Sequence, residues 1–176
     1  MVVPPFRFAV VSCTTDTFMD DGNENETVFR GGFPSLRNFP FLKMLNLRTI
    51  VSFVKGGLKG MSLDLIEFCE HENISLVLVD LLEDKYPSYS SIATILEMVL
   101  DKNNLPVYIH CSDGGVSTGR CVMCLRVMQN WIGSSIQEEY YRYVKAGSAS
   151  PEVAIWSDSF PQTSVNIPEQ KPSWFV

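Results

Sequence analysis

The stretch PVYIHCSDGGVSTGR, residues 106–120, constrains the fold more than any other part of this chain. PVYIH reads as a short strand leaving a turn. The strand ends in His110 and Cys111, and a glycine-bearing loop follows. An apolar pattern at helical spacing then runs from about Thr118 to about Trp131. In such a strand–loop–helix unit the backbone N–H groups of residues 112–117 can converge on one point at a helix start. That arrangement attracts anions. The same field favours thiolate over thiol in a cysteine placed there, which is what a sulfur nucleophile requires. Gly114 and Gly115 permit the backbone angles of such a nest, and Thr118 is positioned to donate a hydrogen bond to the Cys111 sulfur.

The rest of the chain supplies a matching frame. Strands are expected near Phe8–Val11, near Val28–Arg30, over 48–54 (RTIVSFV) and over 74–81 (ISLVLVDL). The last of these is almost continuously apolar, as in a sheet covered on both faces. Helical spacing marks 38–47, 61–73 with Ser62 as N-cap, 91–102, 134–147 and 150–160. Ser135 stands three residues before Glu138, the spacing of a capping box, and Gly147 closes that helix. Ser150 and Pro151 open the next. Strands alternating with helices give an α/β sandwich around a mostly parallel sheet of four or five strands. The acidic stretch DDGNENE (20–26) reads as a mobile surface loop. The reading places one domain over residues 1–160 and an extended tail over 161–176, where three prolines fall. No internal repeat is present.

Bulk properties narrow the function. A chain of 176 residues that is 45% hydrophobic and 19% charged makes one compact domain. Its net charge of −6 and its lack of a basic stripe argue against a nucleic-acid partner. The acidity also counts mildly against small, highly charged phosphates as substrates. No apolar run is long enough for a membrane span, and MVVPPFRF lacks the apolar core of a signal peptide. Five scattered cysteines suit reduced thiols in the cytoplasm better than a disulfide framework.

The segments IHC…G…TG with its following helix, VVPP (2–5), VFRGGFPSLRNFPFLKMLNLRTIVSFV (28–54), Cys124-Leu125-Arg126, QNW (129–131) and EEYYRY (138–143) together resemble the plant-and-fungal atypical dual-specificity phosphatases. These belong to the cysteine-phosphatase superfamily. The group includes fungal inositol-pyrophosphate phosphatases and the oxidant-induced cell-cycle arrest proteins. The resemblance runs from about Val2 to about Phe160. It implies the cysteine-phosphatase fold, a role in stress and phosphate signalling, and partners among paralogous phosphatase-like proteins. It assigns Cys111 to the nucleophile position, with the phosphate loop running through Ser112, Asp113, Gly114, Gly115, Val116, Ser117 and Thr118.

The departures matter as much as the match. Gly115 stands where the family has lysine, Val116 where it has histidine, and Ser117 where it has arginine. The basic pair after the penultimate helix is also missing, because AGSAS (146–150) is uncharged. The family arginine grips two phosphoryl oxygens through a planar fork, and serine cannot imitate it. Cys111 is therefore either a weakened nucleophile or a vestigial buried cysteine, and Ser117 favours the second. Arg120, one turn further on, either reaches back to the loop or lies on the outer side of its helix; the outer side is favoured. Asp80, Glu83 and Asp84 lie where the superfamily keeps its general acid, and equally read as a polar turn. Of the three, Asp84 is the candidate. His110 is expected to orient the loop through hydrogen bonds.

Cys121 and Cys124 form a CxxC, but inside an apolar helix that spacing reads as core. With His71 and His110 as the chain's two histidines, a zinc site lacks ligands. No metal or cofactor is expected. Trp131, Tyr140, Tyr141, Tyr143 and Trp156 read mostly as packing. Three readings follow: a pseudophosphatase whose candidate partners are paralogous proteins and a phosphate-bearing ligand, a weak phosphatase on phosphoproteins or inositol pyrophosphates, and a thiol sensor using Cys111.

Overall fold

The structure, a computed structural model, describes residues 2–13, 25–80, 87–144 and 152–176. Strands β1 (Ala9–Ser12), β2 (Val28–Gly32), β3 (Thr49–Val54), β4 (Ser75–Asp80) and β5 (Val107–Cys111) form one sheet in the order β1-β2-β5-β3-β4. β1 runs antiparallel to β2, and every other pair is parallel. This is the mostly parallel α/β sheet that the alternation of elements implies.

Helices α1 (Phe39–Met44) and α2 (Leu63–His71) cover one face. Their Leu42, Leu65 and Cys69 pack with Ile50, Val54 and Tyr108 of the sheet. Helices α3 (Tyr89–Val99) and α4 (Val116–Met128) cover the other. There Ile92, Leu96, Cys121 and Leu125 meet Val51, Phe53, Val107 and Ile109. The alternation along β5 follows from the pleat: Val107, Ile109 and Cys111 face α4, whereas Tyr108 joins the α1–α2 face. α5 (Gly133–Tyr143) and α6 (Glu152–Asp158) pack outside α4. α4 is thereby enclosed, with Cys121, Val122, Met123, Cys124 and Leu125 all buried.

Several elements differ from the sequence expectation. β4 forms where expected but at the sheet edge, a position that its pattern leaves open: its ends are exposed and its four apolar residues only half-buried. An apolar run thus need not mean a central strand when helices cover both of its faces. α4 opens at Val116 rather than Thr118, because Gly119 N–H already closes a turn on the Gly115 carbonyl at 2.7 Å. α5 opens at Gly133, so Ser135 lies inside the helix and its capping box does not form. The expected closure at Gly147 and the Ser150–Pro151 start lie outside the described residues.

From Pro161 the chain has one short 3-10 turn and then docks along α3. Val165 and Phe175 join the α4-side core. Lys102 N–H donates to the Gln170 carbonyl at 3.0 Å. Trp174 Nε1 donates to the Glu26 carbonyl at 2.5 Å, and Ser173 N–H to the Glu26 carboxylate at 2.6 Å. Residues 20–24 of the acidic stretch lie outside the described residues. No helix among the described residues is long and apolar enough to cross a membrane.

Candidate active site

β5 delivers Cys111 to the carboxyl end of the sheet, between β2 and β3. Ligand crevices form there in open α/β sheets. Residues 112–115 bend, and α4 begins at once. Gly114 makes the bend possible: its φ is +70°, and a Cβ there would lie 2.5 Å from the Gly31 carbonyl carbon. The loop is therefore pressed against the Gly31–Gly32 end of β2 by a contact that excludes side chains.

Two hydrogen bonds stitch this contact, and a third, from Tyr108 of β5, holds the end of β2 in place. Phe33 N–H donates to the Ser112 carbonyl at 3.3 Å. Tyr108 Oη donates to the Gly32 carbonyl at 2.6 Å. From beneath, Arg30 Nη2 donates to the Gly114 carbonyl at 2.8 Å. Arg30 is 1% exposed, and its guanidinium lies 3.8 Å from the centre of the Tyr143 ring. Burial lowers its pKa, opposed by the neighbouring Tyr143 and Glu139. Its Nε and Nη1 find no hydrogen-bond partner, so the ring face is their main compensation.

Above the loop opens a cleft of about 430 Å³. Phe33, Phe53 and Val54 make an apolar wall, and Cys111, Ser112 and Ser117 make the floor. Lys55 is the one cation on its walls among the described residues. Ser117 thus stands in the cleft at the head of α4, where the family's arginine would project.

Other predicted roles are revised by the geometry. Thr118 is fully buried and its hydroxyl has no partner, so it does not serve the Cys111 sulfur. The Cys111 thiol instead points to Asp113 Oδ1, at 3.8 Å. Neither ring nitrogen of His110 makes a hydrogen bond of good geometry, and the Cys111 backbone is the polar group that acts on the ring. The ring packs against Phe33 and Tyr108, with centroids 5.4 and 5.5 Å away. Burial lowers its pKa to about 3, partly opposed by the Cys111 backbone. Arg120 is neither on an outer surface nor aimed at the loop. It is 4% exposed, with its guanidinium 4.5 Å from the Trp156 ring centre. The enclosure of α4 by α5 and α6 leaves that helix no outer side. Asp80 accepts Gly56 N–H at 3.1 Å and so holds the 55–60 turn. Glu83 and Asp84 lie outside the described residues.

The loop rim carries an ion pair that no local pattern announces. Arg7 Nη1 lies 2.7 Å from Asp113 Oδ2 and 3.2 Å from the Asp113 carbonyl. The other carboxylate oxygen, Oδ1, accepts Gly115 N–H at 3.0 Å. A Cβ on Gly115 would lie 2.9 Å from Arg7 Nη1 and 3.1 Å from Asp113 Oδ1. Of the residues that sequence reasoning missed, Arg30 had a usable signal. Two glycines follow it inside a strand pattern, which marks close backbone approach. Arg7 had none, because its partner is 106 residues away.

Cys121 and Cys124 are fully buried, as core packing requires. Burial pushes the Cys121 thiol up to about 12 and raises that of Cys124 as well. Among the described residues, no group of three His, Cys, Asp or Glu side chains is placed to hold a metal ion.

Comparison with known proteins agrees with this geometry. The profile of the tyrosine phosphatase family matches residues 2–173. The OCA1 protein of Debaryomyces hansenii is 29% identical over 185 residues, spanning 99% of this chain and 86% of that protein. The inositol diphosphatase DSP2 of Oryza sativa subsp. japonica is 33% identical over 162 residues, spanning 86% of this chain and 69% of that protein. Among solved structures, the core catalytic domain of the PP-IP phosphatase SIW14 from S. cerevisiae, in complex with citrate, superposes with a TM-score of 0.75. It is 26% identical, covering 91% of this chain and 88% of that one. With its sheet order, its strand–loop–helix cysteine and these relatives, the chain belongs to the tyrosine phosphatase family, in the fungal and plant group of atypical dual-specificity phosphatases.

Proposed function

We propose that this chain is a pseudophosphatase: a phosphatase fold kept as a binding or regulatory subunit rather than as a catalyst. The observation that carries the reading is Ser117 on the cleft floor, with no arginine on the cleft walls among the described residues. Phosphoryl transfer depends on cations that hold the equatorial oxygens as charge redistributes. Arg30 and Arg120 do not take over: one lies beneath the loop and the other against Trp156. SIW14 is a PP-IP phosphatase and DSP2 an inositol diphosphatase. Ligands of that kind carry several negative charges, and Lys55 alone on these walls is a poor match for them.

The partners in this reading are paralogous phosphatase-like proteins. The support is a family fold retained around a site that has lost its charges. The compartment is the cytoplasm, in keeping with Cys13, Cys69, Cys111, Cys121 and Cys124, which are all free. The rival is a weak phosphatase on phosphoproteins or inositol pyrophosphates, favoured by Cys111 still standing in the cleft beside Lys55. A thiol sensor finds less support, because burial keeps Cys121 and Cys124 protonated and shielded. Turnover of a generic aryl phosphate, wild type against Cys111→Ser, separates the first two readings. Equal rates support the pseudophosphatase, and a clear excess for wild type supports the enzyme.

A further inference from the structure

We propose that Asp113 decides what the loop accepts: its carboxylate occupies the anion nest with the chain's own charge and keeps inorganic phosphate and its esters out. The inference rests on the reading of a retained, non-catalytic loop and adds the reason that such a loop does not hold phosphate either.

Four observations carry it. First, Asp113 Oδ1 takes the Gly115 N–H at 3.0 Å, one of the backbone donors on which an anion would otherwise rest. Second, the same oxygen lies 3.8 Å from the Cys111 sulfur, beside the nucleophile position. Third, the carboxylate is pinned. Arg7 Nη1 holds Oδ2 at 2.7 Å and the Asp113 carbonyl at 3.2 Å, so side chain and backbone are gripped by one group. Arg7 is itself fixed by the adjoining backbone, where Gly32 N–H donates to the Phe6 carbonyl at 2.7 Å. Fourth, the pair needs the space above Gly115, because a Cβ there would sit 2.9 Å from Arg7 Nη1 and 3.1 and 3.2 Å from the carboxylate oxygens. Glycine at 115 is thus more than a lost lysine: it is the condition for the Arg7–Asp113 pair to lie over the loop. An incoming phosphate would meet a carboxylate at its binding point and find the Arg7 guanidinium already engaged.

The test is binding of inorganic phosphate, followed through the backbone amide resonances of Gly115 and Ser117 in the full chain near neutral pH. Four proteins are compared: wild type, Asp113→Ala, Asp113→Asn and, as a charge control, Asp64→Asn in a second groove that shares Phe33 with the cleft. We expect Asp113→Ala to bind at least about tenfold more tightly than wild type, since bringing like charges together costs several times the increment that makes a factor of ten. Asp113→Asn keeps the side-chain size and is expected to gain in the same direction; it stands in if the alanine variant does not fold. Asp64→Asn is expected to gain nothing. An unchanged affinity in a folded Asp113 variant overturns the proposal, as does an equal gain from Asp64→Asn, which would make the effect one of bulk charge. Turnover by wild type tests the pseudophosphatase reading separately. An inert wild type whose Asp113 variants gain no affinity defeats this inference alone.

Discussion

Arg7 Nη1 and Asp113 Oδ2 meet at 2.7 Å across 106 residues of chain, and they do so over a glycine. The pair joins the N-terminal segment to the loop, yet the Asp113 side chain is 42% exposed. Its direct contribution to stability is therefore small, about 1 kcal/mol or less. Its geometric consequence is larger. Gly115→Lys is expected to expel Arg7, so Gly115→Lys and Arg7→Ala should not add. A double-mutant cycle in urea should return a coupling of roughly 0.5–1 kcal/mol. Strict additivity would mean that the pair does not lie over Gly115 in solution.

Gly114 is the position where the fold tolerates least. A left-handed φ of +70° and a Cβ 2.5 Å from the Gly31 backbone combine strain with overlap. Gly114→Ala is expected to cost roughly 3 kcal/mol or more, or to prevent folding. Thermal unfolding of that variant beside Gly57→Ala, which shares a positive φ but has more room, separates the overlap from the strain.

His110 gives the stability a pH dependence of known sign. Its folded pKa of about 3 lies below the ordinary histidine value of 6.5. As pH falls through that window, the unfolded chain takes up the proton first. The stabilisation is therefore complete above about pH 6.5 and is lost progressively towards pH 3. Between about pH 7 and about pH 5 the loss should approach roughly 2 kcal/mol. Carboxylates contribute a slope too, so the measurement is the difference between wild type and His110→Leu. The variant is expected to lose correspondingly less between the two pH values.

The docked C-terminus should behave as core. Phe175 is buried against the α3–α4 layer, and Trp174 is bonded to Glu26. Phe175→Ala is expected to lower stability by about 3 kcal/mol, the lower end for such a truncation because a chain end can adjust. A loss below about 0.5 kcal/mol, the level of ordinary surface changes, would show that the segment is not seated in solution.

What the sequence revealed follows from how local each signal is. The parallel sheet and the bend at Gly114 are written in consecutive residues, through apolar runs and glycines, and the start of α4 was legible to within two residues. Ser117, where the resemblance implies an arginine, is equally local. Arg30 beneath the loop was half-visible in the glycines that follow it. The place of β4 at the sheet edge was not legible, because an apolar strand covered by helices reads alike at the centre and at the edge; strand order is a long-range property. Arg120 misled because α4 is enclosed on every side, which no pattern within α4 itself discloses. The Arg7–Asp113 pair was invisible, since nothing near either residue announces the other. Asp84, as the candidate general acid, lies outside the described residues.

Repair of the loop probes the missing charges. Ser117→Arg alone is expected to restore little, because the residues that would orient the new guanidinium have also changed. Gly115→Lys, Val116→His and Ser117→Arg together should restore more than the sum of the single changes. The triple variant is also expected to displace the Arg7–Asp113 pair, since its lysine needs the space that Gly115 leaves open. Steady-state turnover of an aryl phosphate by each variant is the readout. An inert triple variant that folds and binds phosphate would place the deeper defect in the general acid.

The central claim is that Cys111 sits in a phosphatase loop that no longer works as one. The most direct test is the turnover of an aryl phosphate and of an inositol pyrophosphate by the wild-type chain, with Cys111→Ser as the blank. Loss of the arginine clamp alone should reduce the rate by on the order of 10²–10³ or more relative to an intact family member. The account predicts wild-type rates indistinguishable from the blank on both substrates. A wild-type rate well above the blank on either one would contradict it and make this chain an enzyme.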